Sequence, residues 1–414
     1  MVTSNKGRGS ALRCRLMSGT AIGVLFALGL APLSAMAQSL PMGGAVTHGD
    51  AAISNSGSNL LVTQSSQNAI ISWQSFSVGG NASAHFENGT GATLNRVTGN
   101  LPSSIDGALT ATGSLYLINP AGVAVGSGGM VRTGGSFIAS THDASNADFL
   151  DGGDLTLKGG SKASVINHGF ITSLSGDVVL TARRVENSGT IEAAQGSVGL
   201  LGGYEVLLRD TSLADGKFAV KVGGDDTEVI NSGTVRATEI EMRANGGRVE
   251  ALAGNTKAIV KATGVKKVGG RIFLTAGSGG TVKATQKMVA RKAATQATRR
   301  AVAALPDVGP LPQVRPAFDG GEVRIAGGTV TLGGEINVAG GNASASANAS
   351  ASGNASIGGN GGIITATAAG GSLSLLSTAA LDAAGAAGGL VLLGGDYQGG
   401  NDPATRYLDA PMER

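Results

Sequence analysis

The 414-residue chain has a single cysteine, Cys14, and that residue lies in a segment that reads as an export signal. The exported chain is therefore expected to hold no disulfide and no thiolate metal site, so an oxidising compartment poses no pairing problem. Aromatic residues make up only 3% of the chain, which argues for a narrow interior filled by small aliphatic side chains. Charged residues are only 14%, too few for a disordered polyelectrolyte. No Gly-x-y register persists, which excludes collagen. There is no Gly-x-Ser-x-Gly elbow and no P-loop, and none of His48, His85, His142 and His168 has a partner at metal-ligand spacing. No cofactor is expected.

Charge of one sign is also lacking. Lys6, Arg8, Arg13 and Arg15 precede an apolar run from Ala21 to Ala31, and Ala35-Met36-Ala37 fits a small-x-small cleavage site. This is the order of a secretory signal, with cleavage expected between Ala37 and Gln38. Residues 1–37 hold four of the 31 Lys and Arg and none of the 28 Asp and Glu, so the remainder carries a formal −1. The pI of about 9.0 is thus no evidence for a nucleic-acid partner.

Glycine is abundant, at 69 residues, and it is spaced. Asn167-His168-Gly169-Phe170-Ile171, Asn187-Ser188-Gly189-Thr190-Ile191 and Asn231-Ser232-Gly233-Thr234-Val235 share the pattern Asn-x-Gly-x-aliphatic. The first two lie 20 residues apart and the third 44 further on, close to two more periods. A second pattern, Gly followed by alternating apolar residues, recurs at Gly176, Gly196, Gly270, Gly321 and Gly371. Periods near 20 residues indicate a stacked solenoid. No helical segment and no leucine ladder sits in each repeat, which favours a right-handed, single-stranded parallel β-helix over a leucine-rich repeat. Gly and Asn supply the positive φ that its corners need. Residues 38–67 read as an N-terminal cap over the first open edge. The rungs run through 38–150 and 151–282 and resume over 319–414, where the chain reads as truncated.

Between Asn68 and Ser140 the short strands carry ordered landmarks. These are Trp73-Gln74-Ser75-Phe76, Phe86, Leu94-Asn95-Arg96-Val97, Ser104-Ile105-Asp106-Gly107, Gly113 through Asn119-Pro120, and Gly134 through Ser140. In this order they resemble the secretion domain of two-partner-secretion exoproteins, the filamentous-haemagglutinin family. The family pattern is Asn-Pro-Asn-Gly-aliphatic. This chain has Asn119-Pro120-Ala121-Gly122-Val123, with Ala121 in place of the second Asn, which keeps the turn and removes one amide. The resemblance implies that Asn119, Pro120 and Gly122 shape a turn and that Asn95-Arg96 presents a second one, both serving transporter recognition or folding of the domain.

Two stretches break the rung pattern. From Ala251 to Pro306 there is no acidic residue, and Gln286 to Ala304 is rich in Ala, Lys and Arg. That composition favours a short helix, which Pro306, Pro310, Pro312 and Pro316 would end. Residues 283–318 are read as an excursion whose Arg291, Lys292, Arg299 and Arg300 offer contact to a polyanion such as a sulfated glycan or anionic lipid. Residues 342–356 hold Asn-x-Ser at Asn342, Asn348 and Asn354, a surface loop with glycan-acceptor spacing.

The resemblance implies a non-enzymatic, adhesin-type exoprotein. A Sec translocon would deliver it to the periplasm, and the periplasmic domains of an outer-membrane β-barrel transporter would recognise it. It would end secreted or at the cell surface, with host or surface glycans as candidate targets. Two other classes stay open. A β-helical polysaccharide hydrolase or lyase would need carboxylates gathered on one face, and only Asp225-Asp226 with Glu228, and Asp151 with Asp154, are candidates. An autotransporter passenger would need a C-terminal barrel of alternating strands.

Overall fold

The computed structural model describes residues 40–253, 258–264, 270–292, 318–341 and 359–394. The chain divides into Met1–Ala37 and Gln38–Arg414, and all described residues belong to the second unit. The Ala37–Gln38 junction, Arg299, Arg300 and the three Asn-x-Ser sites lie outside the described residues.

Short strands alternate inward and outward side chains, as in Glu322–Gly327, where Val323 and Ile325 are buried between partly exposed neighbours. Strands of successive turns pair in parallel and in register, and the result is the parallel β-helix expected from the repeats. One face is a nine-stranded sheet running from Ser103–Ile105 to Leu373–Leu375. Along it Val123, Val165, Val185, Val229, Val249, Val282 and Val330 occupy one register position. β-Branched side chains suit this stack, because each packs on its copy above and below. The other two faces merge into one 22-stranded sheet, since Thr190–Gly202 and Thr234–Ala244 run continuously round the corner between them.

The N-terminal end is closed by antiparallel strands. Ala45–His48 pairs with Asn68–Trp73, and Ala51–Ser56 forms a hairpin with Asn59–Gln64. Three aromatics cluster beneath this cap. Trp73 meets Phe76 edge-on at 5.5 Å, and Phe76 stacks on Phe86 at 6.3 Å.

The sequence pattern did not show a second layer. Residues 141–160 leave the coil as Asp143–Ala144, a helix Asn146–Asp151 and strand Leu155–Lys158. Ser145 caps the helix by accepting from the Asp148 N–H at 3.0 Å. Residues 203–223 leave at the same corner as strands Glu205–Leu213 and Gly216–Val222. Together they make a four-stranded antiparallel sheet. It covers the outer face of the coil, burying Ile70, Leu94, Ile118, Ile138, Val179 and Leu201 against Phe149, Leu157, Val206 and Phe218.

Two expectations are corrected. The 44-residue step from Asn187 to Asn231 is one rung, since Arg184–Asn187 pairs directly with Glu228–Asn231. The surplus residues are the hairpin of the second layer. The basic helix does not begin at Gln286 either. Thr281–Ala284 and Met288–Arg291 are rung strands, with Met288, Val289 and Ala290 buried. Neighbouring rungs supply strand partners and burial, which outweigh a helix propensity of a few tenths of a kcal/mol per residue. Residues 293–317 lie outside the described residues.

Candidate functional site

The landmark residues converge near the cap, and most of them point inward. Asn119 follows strand Ser114–Ile118 and is fully buried. Its Nδ2 donates to the Leu101 carbonyl and to Ser103 Oγ, both at 2.9 Å. Its Oδ1 accepts from the Ala121 N–H at 2.9 Å, and its carbonyl accepts from the Gly122 N–H at 2.9 Å. One side chain thus closes its own turn and ties it to the loop of the preceding rung. Gly122 has φ of +114°, and a Cβ there would meet the Ser164 carbonyl at 3.2 Å. Pro120 is the exposed member, and its carbonyl accepts from Ser161 Oγ at 2.7 Å.

Asn95 does not present a turn. It sits inside strand Ala92–Val97, fully buried, and faces the interior. Its Oδ1 accepts from Trp73 Nε1 at 2.9 Å, and its Nδ2 donates to the Tyr116 carbonyl at 3.2 Å. The strand forms because Leu94 and Val97 pack on neighbouring rungs, and the amide serves the indole that the interior would otherwise leave unpaired. Arg96 faces the other way. Its Nε donates to Asp143 Oδ1 at 2.9 Å and its Nη2 to the Ala144 carbonyl at 3.0 Å, which pins the start of the second layer.

The buried amides next to these do not stand out in the sequence. Gln64 Oε1 accepts from Thr93 Oγ1 at 2.6 Å, and Asn88 Nδ2 donates to Thr93 Oγ1 at 3.0 Å and to the Ser114 carbonyl at 2.9 Å. The signal was an amide or hydroxyl at an inward register position. Further along, the Asn-x-Gly asparagines form a buried file. Asn167 donates to Asn187 at 2.8 Å, Asn187 to Asn231 at 2.7 Å, and Asn231 to Gln286 at 2.7 Å.

The second layer is clasped by charge. Glu239 and Glu241 lie on one strand, almost wholly buried. Glu239 accepts from Ser212 Oγ at 3.1 Å and from Arg271 Nε at 2.7 Å. Glu241 accepts from the Lys217 and Phe218 N–H groups and from Arg243 Nε at 2.6 Å. Burial, and then the Glu241 carboxylate, push the Glu239 carboxyl up to about 7. The guanidiniums of Arg243 and Arg271 each lie 5.3 Å from the Phe273 ring centre.

The remaining candidates are dispersed. Arg291 lies over the Phe318 ring at 4.4 Å, the Lys292 N–H donates to the Asp319 carbonyl, and Lys287 pairs with Glu335 at 2.6 Å. Asp226 accepts from the Tyr204 hydroxyl at 2.6 Å, and Asp154 from the Asp210 N–H at 2.8 Å. These carboxylates brace turns. His168 is exposed at the corner, with Nδ1 2.7 Å from Ser188 Oγ.

A family model described as the TPS secretion domain matches residues 37–284. The chain belongs to the TPS secretion-domain family. The match takes in the cap, the landmark rungs, both segments of the second layer and the asparagine file up to Asn231. A heme/hemopexin-binding protein of Haemophilus influenzae is 32% identical over 257 residues, which are 58% of this chain and 28% of that protein. A second heme/hemopexin-binding protein from Haemophilus influenzae is 38% identical over 86 residues, 20% of this chain and 9% of its own. The chain therefore spans under a third of the curated relatives it matches. Among solved structures, the HMW1 secretion domain from Haemophilus influenzae superposes with a TM-score of 0.53 at 24% identity, covering 85% of this chain and all of that one. That likeness shows the fold.

Proposed function

We propose that this TPS secretion domain carries an adhesin-type, non-enzymatic exoprotein across the outer membrane. In this reading a Sec translocon delivers it to the periplasm, the periplasmic domains of a β-barrel transporter recognise residues 37–284, and the product reaches the cell surface or the medium. The family match supports the route. The observation that carries the mechanism is the in-register stacking of each rung on its neighbours. A coil held by nearest-neighbour contacts can add rungs as residues emerge, and a chain without disulfides can thread unfolded. The buried amides of Asn95 and Asn119 act in folding: they select the rung geometry and touch no partner. Of the landmark turn, only Pro120 and the loop that Asn119 holds remain for recognition.

The test is secretion of the chain in a Gram-negative host with and without a cognate transporter. Secretion requiring the transporter is expected, and unchanged secretion in its absence overturns the reading. For Asn119→Ala, reduced secretion together with a lowered melting temperature is expected. Lost secretion with an unchanged melt would show that the amide serves recognition rather than folding.

A second reading concerns cargo. The curated relatives are named for heme and hemopexin binding, so capture of a haem-bearing ligand by the surface-exposed product is the counterpart of adhesion. Titration with hemin and with hemopexin separates the two.

A further inference from the structure

Leu101 is the most exposed large apolar side chain among the described residues, at 60%. It sits in the loop 98–102 between strands Ala92–Val97 and Ser103–Ile105, followed by the exposed Pro102. The loop is not a slack connection. The Thr98 N–H donates to the Trp73 carbonyl, and Gly99 packs so closely on the Gln74 carbonyl that no Cβ fits between them. The Leu101 carbonyl is held by the buried amide of Asn119 at 2.9 Å. The next rung places exposed Pro120 beside it, and Pro102 approaches Gly122 there. One rung toward the cap, Met42 is 52% exposed and exchanges backbone hydrogen bonds with Gln74 and Ser75.

Met42, Leu101, Pro102 and Pro120 thus crown one corner of successive rungs. The loops that carry them, 42–44, 98–102 and 119–122, contain no charged residue. Exposing apolar side chains costs solubility, and apolar side chains exposed on backbone-stacked, uncharged loops of successive rungs mark a contact surface. Prolines and a fixed backbone also lower the ordering cost of docking.

We propose that this ridge, centred on Leu101, is the surface that docks in an uncharged apolar cleft on the periplasmic domain of the partner transporter. The inference rests on the transporter-dependent route proposed above. It assigns Asn119 a positioning role: the amide holds Leu101 at the surface and stays out of the contact. Three features single out the transporter as occupant. The ridge lies wholly within the family match, it is built by a landmark turn of that family, and it stands on the N-terminal rungs.

The experiment compares the wild-type chain, Leu101→Glu, Leu101→Ser and Leu375→Glu. Leu375 is 52% exposed and lies outside the family match, so it serves as the control. Each variant is co-expressed with the transporter, secreted protein is measured, and binding to the isolated periplasmic domains is titrated. Leu101→Glu is expected to lower secretion and binding at least tenfold, Leu101→Ser several-fold, and Leu375→Glu not at all. The purified Leu101 variants should melt within a few degrees of wild type, because the side chain buries little. Wild-type secretion and binding by both Leu101 variants, while deletion of the transporter still abolishes export, overturns the ridge and leaves the route standing. Export that survives deletion of the transporter overturns the route itself. A Leu101→Glu protein that fails to fold leaves the decision to Leu101→Ser.

Discussion

Replacing Asn187 by alanine tests whether the buried amides hold the rungs together. In the wild-type coil Asn187 Oδ1 accepts from Asn167 at 2.8 Å, and its Nδ2 donates to Asn231 Oδ1 at 2.7 Å. Alanine removes both bonds in a site closed to water. The Asn167 amide is left with long contacts to the Gly169 and Thr190 carbonyls at 3.4 and 3.5 Å, and Asn231 Oδ1 loses its donor. A buried polar group left unpaired costs about 1–3 kcal/mol, so two of them amount to about 3–5 kcal/mol once the small void is included. The assay is equilibrium urea unfolding of the exported chain followed by far-UV circular dichroism. A double-mutant cycle with Asn231→Ala should show coupling of at least about 1 kcal/mol, because each single change already orphans the shared bond. A loss below about 1 kcal/mol for Asn187→Ala, or strict additivity in the cycle, would refute the claim that the file of amides bears the stacking.

Other outcomes are equally specific. Gly189→Ala would place a Cβ under 3.0 Å from the Gly169 carbonyl, so severe destabilisation and loss of soluble protein are expected on expression. Asn95→Ala takes the acceptor from the chain's sole tryptophan, and a stability loss of about 1–3 kcal/mol with a shift of Trp73 emission is expected in fluorescence-monitored unfolding. The Glu239 carboxyl stands at about 7 in the fold against 4.5 as its ordinary value, so the folded state binds that proton more tightly than the unfolded chain. Its stabilising contribution is full below about pH 4.5 and is lost as pH rises toward 7, and Glu239→Gln should flatten that slope in urea midpoints measured across the range.

The coil itself was legible because its physics is periodic. Asn-x-Gly at a 20-residue step and glycine before alternating aliphatics describe a corner and a strand, although Gly169, Gly189 and Gly233 are required by carbonyls under 3.0 Å from where a Cβ would stand and not by a positive φ. The family landmarks were legible as well. The roles of individual residues were not. Asn95 stands where the family resemblance implies a turn, yet its strand is fixed by Leu94 and Val97, and its amide answers an indole 22 residues away. The second layer was hidden for a related reason. Its strands pair antiparallel across segments 141–160 and 203–223, and no local period announces a contact between excursions. The doubled Asn187–Asn231 step was the one visible trace. Gln286 to Lys292 has a composition that speaks for helix, whereas the decisive term is the open strand edge offered by the rung below.

Asn187 and Asn231 keep their 2.7 Å contact although a complete hairpin intervenes in the chain. A segment spliced in at that corner therefore thickens the molecule and leaves its axial lattice unchanged. The amide column, and not the count of residues, therefore keeps the register across that insertion.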